Sequence, residues 1–270
     1  MSLRVSLVNH AATATLTAVS AASGYPVTNL TSPATPFNPY RSGAAGAGQI
    51  ITIDHGSAKA VDVVALIRTN FITATFDADD AATFNSAAGS PQYTAALTCS
   101  EALNSRYIGW HRPAATVTRR YNRITIANQT PVATVPHLAG AAYYLVGGLW
   151  LGPLATVPRD ILMDPDLERQ EPVADEMLPS GGRSRSLMGY PFITLTAKRL
   201  AEDAAASTLD TQLRAWLALD RAWGEADVAL VLPRDLVPSD AYVMRRLKGA
   251  AWTWGRIWSE GDLTLEEVAQ

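Results

Sequence analysis

Four histidines, a single cysteine and a short run of aspartates are the residues of this chain best suited to bind a metal or attack a bond. His10, His55, His111 and His137 lie far apart, and none has a second ligand at helical or Cys-x-x-Cys spacing, so a zinc site is not expected. Cys99 sits in a Thr- and Ser-rich strand end and reads as a small core residue rather than a nucleophile. Asp262, Glu266 and Glu267 could be imagined as an acid pair, but consecutive strand residues point to opposite faces, so a solvated strand end is expected. Asp77, Asp79 and Asp80 form a dense carboxylate group of the kind a hard cation favours, although a plain acidic turn explains them as well. The glycines of Gly43–Gly48 precede a strand, whereas a phosphate-cradling loop follows a strand and opens a helix. No active site emerges, and the chain is read as a non-enzyme.

The elements that would carry these residues are mostly strands. Gln49, Ile51 and Ile53 alternate with Ile50, Thr52 and Asp54, and Val61 to Ile67 is almost wholly apolar and β-branched. His55, Gly56 and Ser57 lie between them and predict a tight turn whose amides Asp54 and Ser57 can satisfy. Further strands are expected at 3–8, 13–19, 71–76, 93–98, 106–112, 121–127 and 143–153, which predicts an antiparallel sandwich over residues 1–155. The loop from Ser20 to Gly48 is rich in Pro and Gly and carries Tyr25, Phe37 and Tyr40.

Residues 156–186 hold several prolines and end in Gly181-Gly182, and they read as an extended connector. Residues 187–270 read as a small α+β domain. Its one prominent helix starts at the capping sequence Ser207-Thr208-Leu209-Asp210, follows Leu213, Trp216, Leu217 and Trp223, and stops at Gly224. Strands are expected at 191–200 and 227–232, with two more on either side of a turn at Ser259-Glu260-Gly261.

The chain of 270 residues is 48% hydrophobic and 17% charged, the composition of a folded protein. Nine Lys and Arg face six Asp and Glu in residues 1–155, and thirteen face nineteen beyond, so no basic face predicts nucleic-acid binding. No signal peptide or membrane-spanning stretch is apparent, and the lone cysteine fits synthesis in a reducing cytoplasm.

The order SGYPVTNL, a polar loop with PYRS, QIITIDHGS, VDVVALIRTN, RYIGWHR, ITIAN and YLVGGLWLGP resembles the discoidin-like, or coagulation factor 5/8 type C, jelly roll. In particular it is similar to the versions that open minor tail and baseplate proteins of tailed bacteriophages. His55 departs from the apolar residue usual in that family's Asp-Leu-Gly turn. The resemblance implies a structural component of a phage tail tip or baseplate, made in the host cytoplasm and located in the virion tail. Its partners would be other tail proteins and further copies of itself, joined by sheet edges, by strand addition through the connector, and by an interface containing Trp252, Trp254 and Trp258. The alternative is a carbohydrate-binding module that attaches the particle to a bacterial surface glycan, with Tyr40, Arg41, Trp110 and His111 supplying the aromatic platform and polar donors. Discoidin-like domains sometimes hold a structural calcium, for which Asp77, Asp79 and Asp80 are the weak candidates; no cofactor is otherwise expected.

Overall fold

The computed structural model describes residues 4–32, 39–45, 48–101, 107–132, 141–156, 166–170, 173–177, 183–187, 192–202, 218, 221–222, 228–232, 241–254 and 258–267. In chain order the strands are β1 (Arg4–Ser6), β2 (Thr15–Ala18), β3 (Tyr40–Arg41), β4 (Gln49–Val61), β5 (Val63–Thr69), β6 (Thr73–Asp79), β7 (Tyr93–Thr98), β8 (Ser100–Glu101), β9 (Tyr107–His111), β10 (Val117–Ile126) and β11 (Leu145–Gly152). They continue with β12 (Ala155–Thr156), β13 (Asp166–Gln170), β14 (Val173–Met177), β15 (Arg183–Leu187), β16 (Phe192–Glu202), β17 (Val228–Leu232), β18 (Tyr242–Trp254) and β19 (Trp258–Glu267). Among the described residues these form a sheet ordered β2-β4-β10-β6-β7, a second ordered β3-β11-β5-β9-β8, a third ordered β12-β1-β17-β18-β19-β16-β13, and a β14-β15 hairpin.

The first two sheets face each other across a core that includes Ile51, Ile53, Leu66, Phe76, Ile124, Leu149 and Leu151. The third lies on the outside of the second: Val63, Ala65, Ile67, Ile108 and Trp150 pack with Val5, Leu230–Leu232 and Tyr242–Met244. Strands β5 and β11 therefore belong to a middle layer buried on both faces, which is why their sequences are continuous apolar runs instead of alternating ones. Strand β1 pairs with β17 and β12, so the N-terminal strand is part of the third sheet.

Two turns expected from the sequence lie inside strands. Asp54 pairs with Tyr121 and Lys59 with Arg119, so residues 55–58 bulge opposite Arg120 and the chain rejoins the same ladder. The turn chemistry is present, with Gly56 at φ +73° and its amide donating to Asp54 Oδ1 at 2.7 Å, but it builds a bulge. The Arg120 guanidinium spans both Asp54 oxygens at 2.9 and 3.0 Å and closes the bulge from the other strand. The chain reverses instead at Asp62, where it crosses to the opposite sheet: Asp62 accepts from Thr116 Oγ1 at 2.5 Å and from the Leu154 amide at 3.1 Å. Likewise Ser259, Glu260 and Gly261 lie within β19, opposite Trp254, Thr253 and Trp252.

The prominent helix expected over 207–224 is not seen among the described residues. Of 207–224, only Ala218, Arg221 and Ala222 are described, in helical conformation, and the rest, with Trp216 and Trp223, lies outside the described residues. No helix among the described residues reaches seven residues. The apolar cover on the third sheet comes from the sandwich itself, through Ile108 and Trp150 and the outward side chains of β5.

Beside the bulge two imidazoles are partly buried. His55 Nε2 bonds Asn122 Oδ1 at 2.8 Å, His10 Nε2 bonds the Ala60 carbonyl at 3.1 Å, and the rings meet edge-on at 6.0 Å. Burial lowers both pKa values below the ordinary 6.5, and for His10 the charge of His55 adds to the effect. Between each lowered value and 6.5 the unfolded chain binds more protons, so their contribution to stability is complete above about 6.5 and is lost as pH falls below it. Thermal melts from pH 8 to pH 5 should show this fall, and His55→Gln, which keeps an N–H toward Asn122 without titrating, should flatten it. An unchanged slope in that variant would exclude His55 as a contributor.

Candidate functional site

Strand β7 is an edge of the first sheet, and β9 lies next to the edge of the second. Gly109 lets β9 approach the end of β7 closely, since a Cβ there would stand 2.6 Å from Cys99 Sγ. This brings His111, at the end of β9, against Tyr93, at the start of β7. The Tyr93 hydroxyl lies 2.7 Å from His111 Nε2, and Phe76 of the core backs the Tyr93 ring edge-on at 6.0 Å. Burial pushes the Tyr93 phenol up and the His111 imidazole down, and the two share one hydrogen bond whose donor is set by the imidazole tautomer.

These two side chains form the floor of a cleft of about 680 Å³, walled by Gln92 and by the 112–119 segment that leads from β9 into β10. Arg119 enters it from β10, with Nη1 donating to the Thr118 carbonyl at 2.8 Å. Its Nε is 3.8 Å from Asp80 Oδ2, beyond hydrogen-bonding distance, and is buried with no hydrogen-bond partner among the described residues. Arg112 lies exposed at the mouth. The cleft thus offers an aromatic ring, a neutral imidazole and two guanidinium groups, which suit a ligand rich in hydroxyl or carboxylate oxygens.

The four residues expected to bind a glycan are not brought together. Tyr40 is fully buried, and its hydroxyl donates to the Ser20 carbonyl at 2.7 Å, pinning the 20–48 loop. Arg41 lies 3.8 Å over the Tyr25 ring and 5.0 Å from the Tyr143 ring. Both are on β3, separated from β9 by β11 and β5, or roughly 14 Å at ordinary strand spacing. Trp110 and His111 are neighbours on one strand, and Trp110 packs toward the third sheet. Only His111 reaches the cleft. Tyr93, Gln92, Arg112 and Arg119 were not anticipated; the one hint was the cluster of arginines at 112, 119 and 120 on either side of a strand start.

The carboxylates of Asp77 and Asp79 are satisfied by protein donors. Asp77 takes Arg123 Nη2 at 2.8 Å and Thr94 Oγ1 at 2.7 Å. Asp79 takes the Ala81 and Ser86 amides at 3.0 and 3.1 Å, closing the loop after β6, and Asp80 faces Arg119. Both Asp77 and Asp79 lie in β6 instead of an acidic turn, and among the described residues no three metal-ligating side chains converge. Trp252, Trp254 and Trp258 occupy strand positions opposite Gly261, Ser259 and Glu202, and their side chains lie outside the described residues, as does His137.

No family model and no curated protein matches the sequence. Solved structures similar to part of the chain include the family 32 carbohydrate-binding module of C. perfringens NanJ in complex with galactose, at 12% identity and TM-score 0.41, covering 56% of this chain and 99% of that one. Chitosan-binding module 1 of a chitosanase/glucanase from Paenibacillus sp. IK-5 is similar at 17% identity and TM-score 0.40, with 54% and 99% covered. A fucose-binding module of Streptococcus pneumoniae, SpX-3, is similar at 7% identity and TM-score 0.40, with 54% and 98% covered.

Proposed function

We propose that this protein is a non-catalytic carbohydrate-binding protein, and that the Tyr93–His111 cleft takes a bacterial surface glycan. The observation that carries this reading is the cleft itself. It sets a half-buried aromatic ring beside a neutral imidazole, the Gln92 amide and two guanidinium groups, in a volume of the size small ligands occupy. The aromatic ring gives a sugar an apolar face to stack on, and the polar groups fix the orientation of its hydroxyls. Among the described residues the cleft lining holds no carboxylate, and Cys99 is buried elsewhere with its thiol pushed up to about 11. A glycan array followed by calorimetric titration tests this. The wild-type chain should capture at least one glycan, and Tyr93→Ala or His111→Ala should weaken it at least about tenfold, the equivalent of losing one good contact. Absence of binding by the wild type would end the reading.

A second reading, a structural subunit of a phage tail tip or baseplate with the sandwich as a discoidin-like jelly roll, is favoured by the third sheet. A sugar-binding sandwich has no need of a further sheet stitched to it by β1 and by a shared apolar core. A low-resolution map of assembled particles placing this chain in the tail would support it, and a chain that stays monomeric at high concentration and does not join particles would not.

A further inference from the structure

Among the described residues the charged side chains that line the cleft are of one sign: Arg112 and Arg119 line it and no carboxylate does, while Asp80 stands in ion-pair range of Arg119, 3.8 Å from its Nε, without a hydrogen bond to it. Across the β4–β10 ladder Arg119 stands directly opposite Lys59, and like charges at facing positions of an antiparallel pair destabilise the sheet. The fold thus sets a like-charged pair, with Asp80 in ion-pair range of Arg119, beside a buried guanidinium N–H that has no hydrogen-bond acceptor among the described residues, at the wall of a cleft. A carboxylate seated there would relieve the repulsion and supply the missing acceptor in one step.

Resting on the carbohydrate reading, we infer that the ligand is an acidic saccharide, its carboxylate held by Arg119 with Arg112 beside it and its ring against Tyr93. Tyr93 and His111 recognise the sugar, whereas Arg119 sets the preference for the acid. The affinity for the acidic form depends on salt because the binding charges are partly exposed.

The test is calorimetric titration of the full chain with oligogalacturonate, a hyaluronan fragment and sialyllactose, each beside its neutral methyl ester, at low and at high NaCl. At least one acid should bind about tenfold or more tightly than its own ester, with the gap narrowing in high salt. Arg119→Gln, verified by its thermal melt, should weaken acid binding more than ester binding and so remove the gap, and Arg112→Gln should reduce it. An ester that binds as tightly as its acid, or a gap that survives both substitutions, overturns the inference and leaves the carbohydrate reading standing. Failure of every acid and every ester to bind overturns both. A single-stranded oligonucleotide binding as tightly as the best acid would also overturn it, in favour of unselective capture of anions.

Discussion

Trp150→Ala is expected to cost about 3–5 kcal/mol in urea denaturation, the range for removing a large buried aromatic side chain. Trp150 is 2% exposed and lies where the outside of the second sheet meets the third, among Val5, Ile108, Leu230 and Tyr242. Its indole N–H donates to Ser6 Oγ at 2.9 Å, and Ser6 Oγ donates in turn to the Val8 carbonyl at 3.3 Å. Truncation therefore opens a cavity between layers and removes the partner of a fully buried hydroxyl on β1. Trp150→Phe, which keeps most of the ring and loses only the N–H, should cost about 1–2 kcal/mol. A loss below about 1 kcal/mol for the alanine variant would mean that the third sheet does not dock on the sandwich through this residue.

Asn70→Ala should cost about 2–4 kcal/mol, although it removes few atoms. Asn70 is fully buried directly after β5, and its amide stands in for a stretch of strand. Nδ2 donates to the Tyr143 carbonyl at 2.9 Å, and Oδ1 accepts from the Leu145 amide at 2.7 Å. Alanine leaves a buried acceptor and a buried donor on the main chain unpaired, each costing about 1–3 kcal/mol. Asn70→Asp keeps the acceptor toward Leu145 but sets a carboxylate against the Tyr143 carbonyl, so at neutral pH it should be no more stable than Asn70→Ala. An aspartate variant of wild-type stability would refute this account of the pair.

Strand content was legible because period-two alternation and β-branched runs are local properties, and β7, β9, β10 and β17 fall close to where the pattern put them. The continuous apolar run in β5 was equally visible, but its reason was not: only a third sheet on its outer face explains why Val63 and Ala65 are as buried as Val64 and Leu66. The segment around His55 shows the opposite failure. Gly56 and Asp54 have turn chemistry, and a bulge uses the same positive φ and the same side-chain acceptor as a turn. Whether the chain reverses there or rejoins its ladder depends on Arg120, distant in sequence, which clamps Asp54.

The candidate site divides the same way. The sequence by itself determined a mainly β chain with a sandwich, a single thiol with no partner for a disulfide, and no clustered catalytic or metal-binding motif, since each follows from residue type and short-range spacing. It could not determine which polar residues share a surface. Tyr40 and Arg41 match a binding platform in type, but β11 and β5 stand between them and His111. Tyr93, His111, Arg112 and Arg119 line one cleft because two strands of different sheets converge where Gly109 allows it. That convergence is a property of sheet order and packing distance, which depend on contacts between residues far apart in the chain.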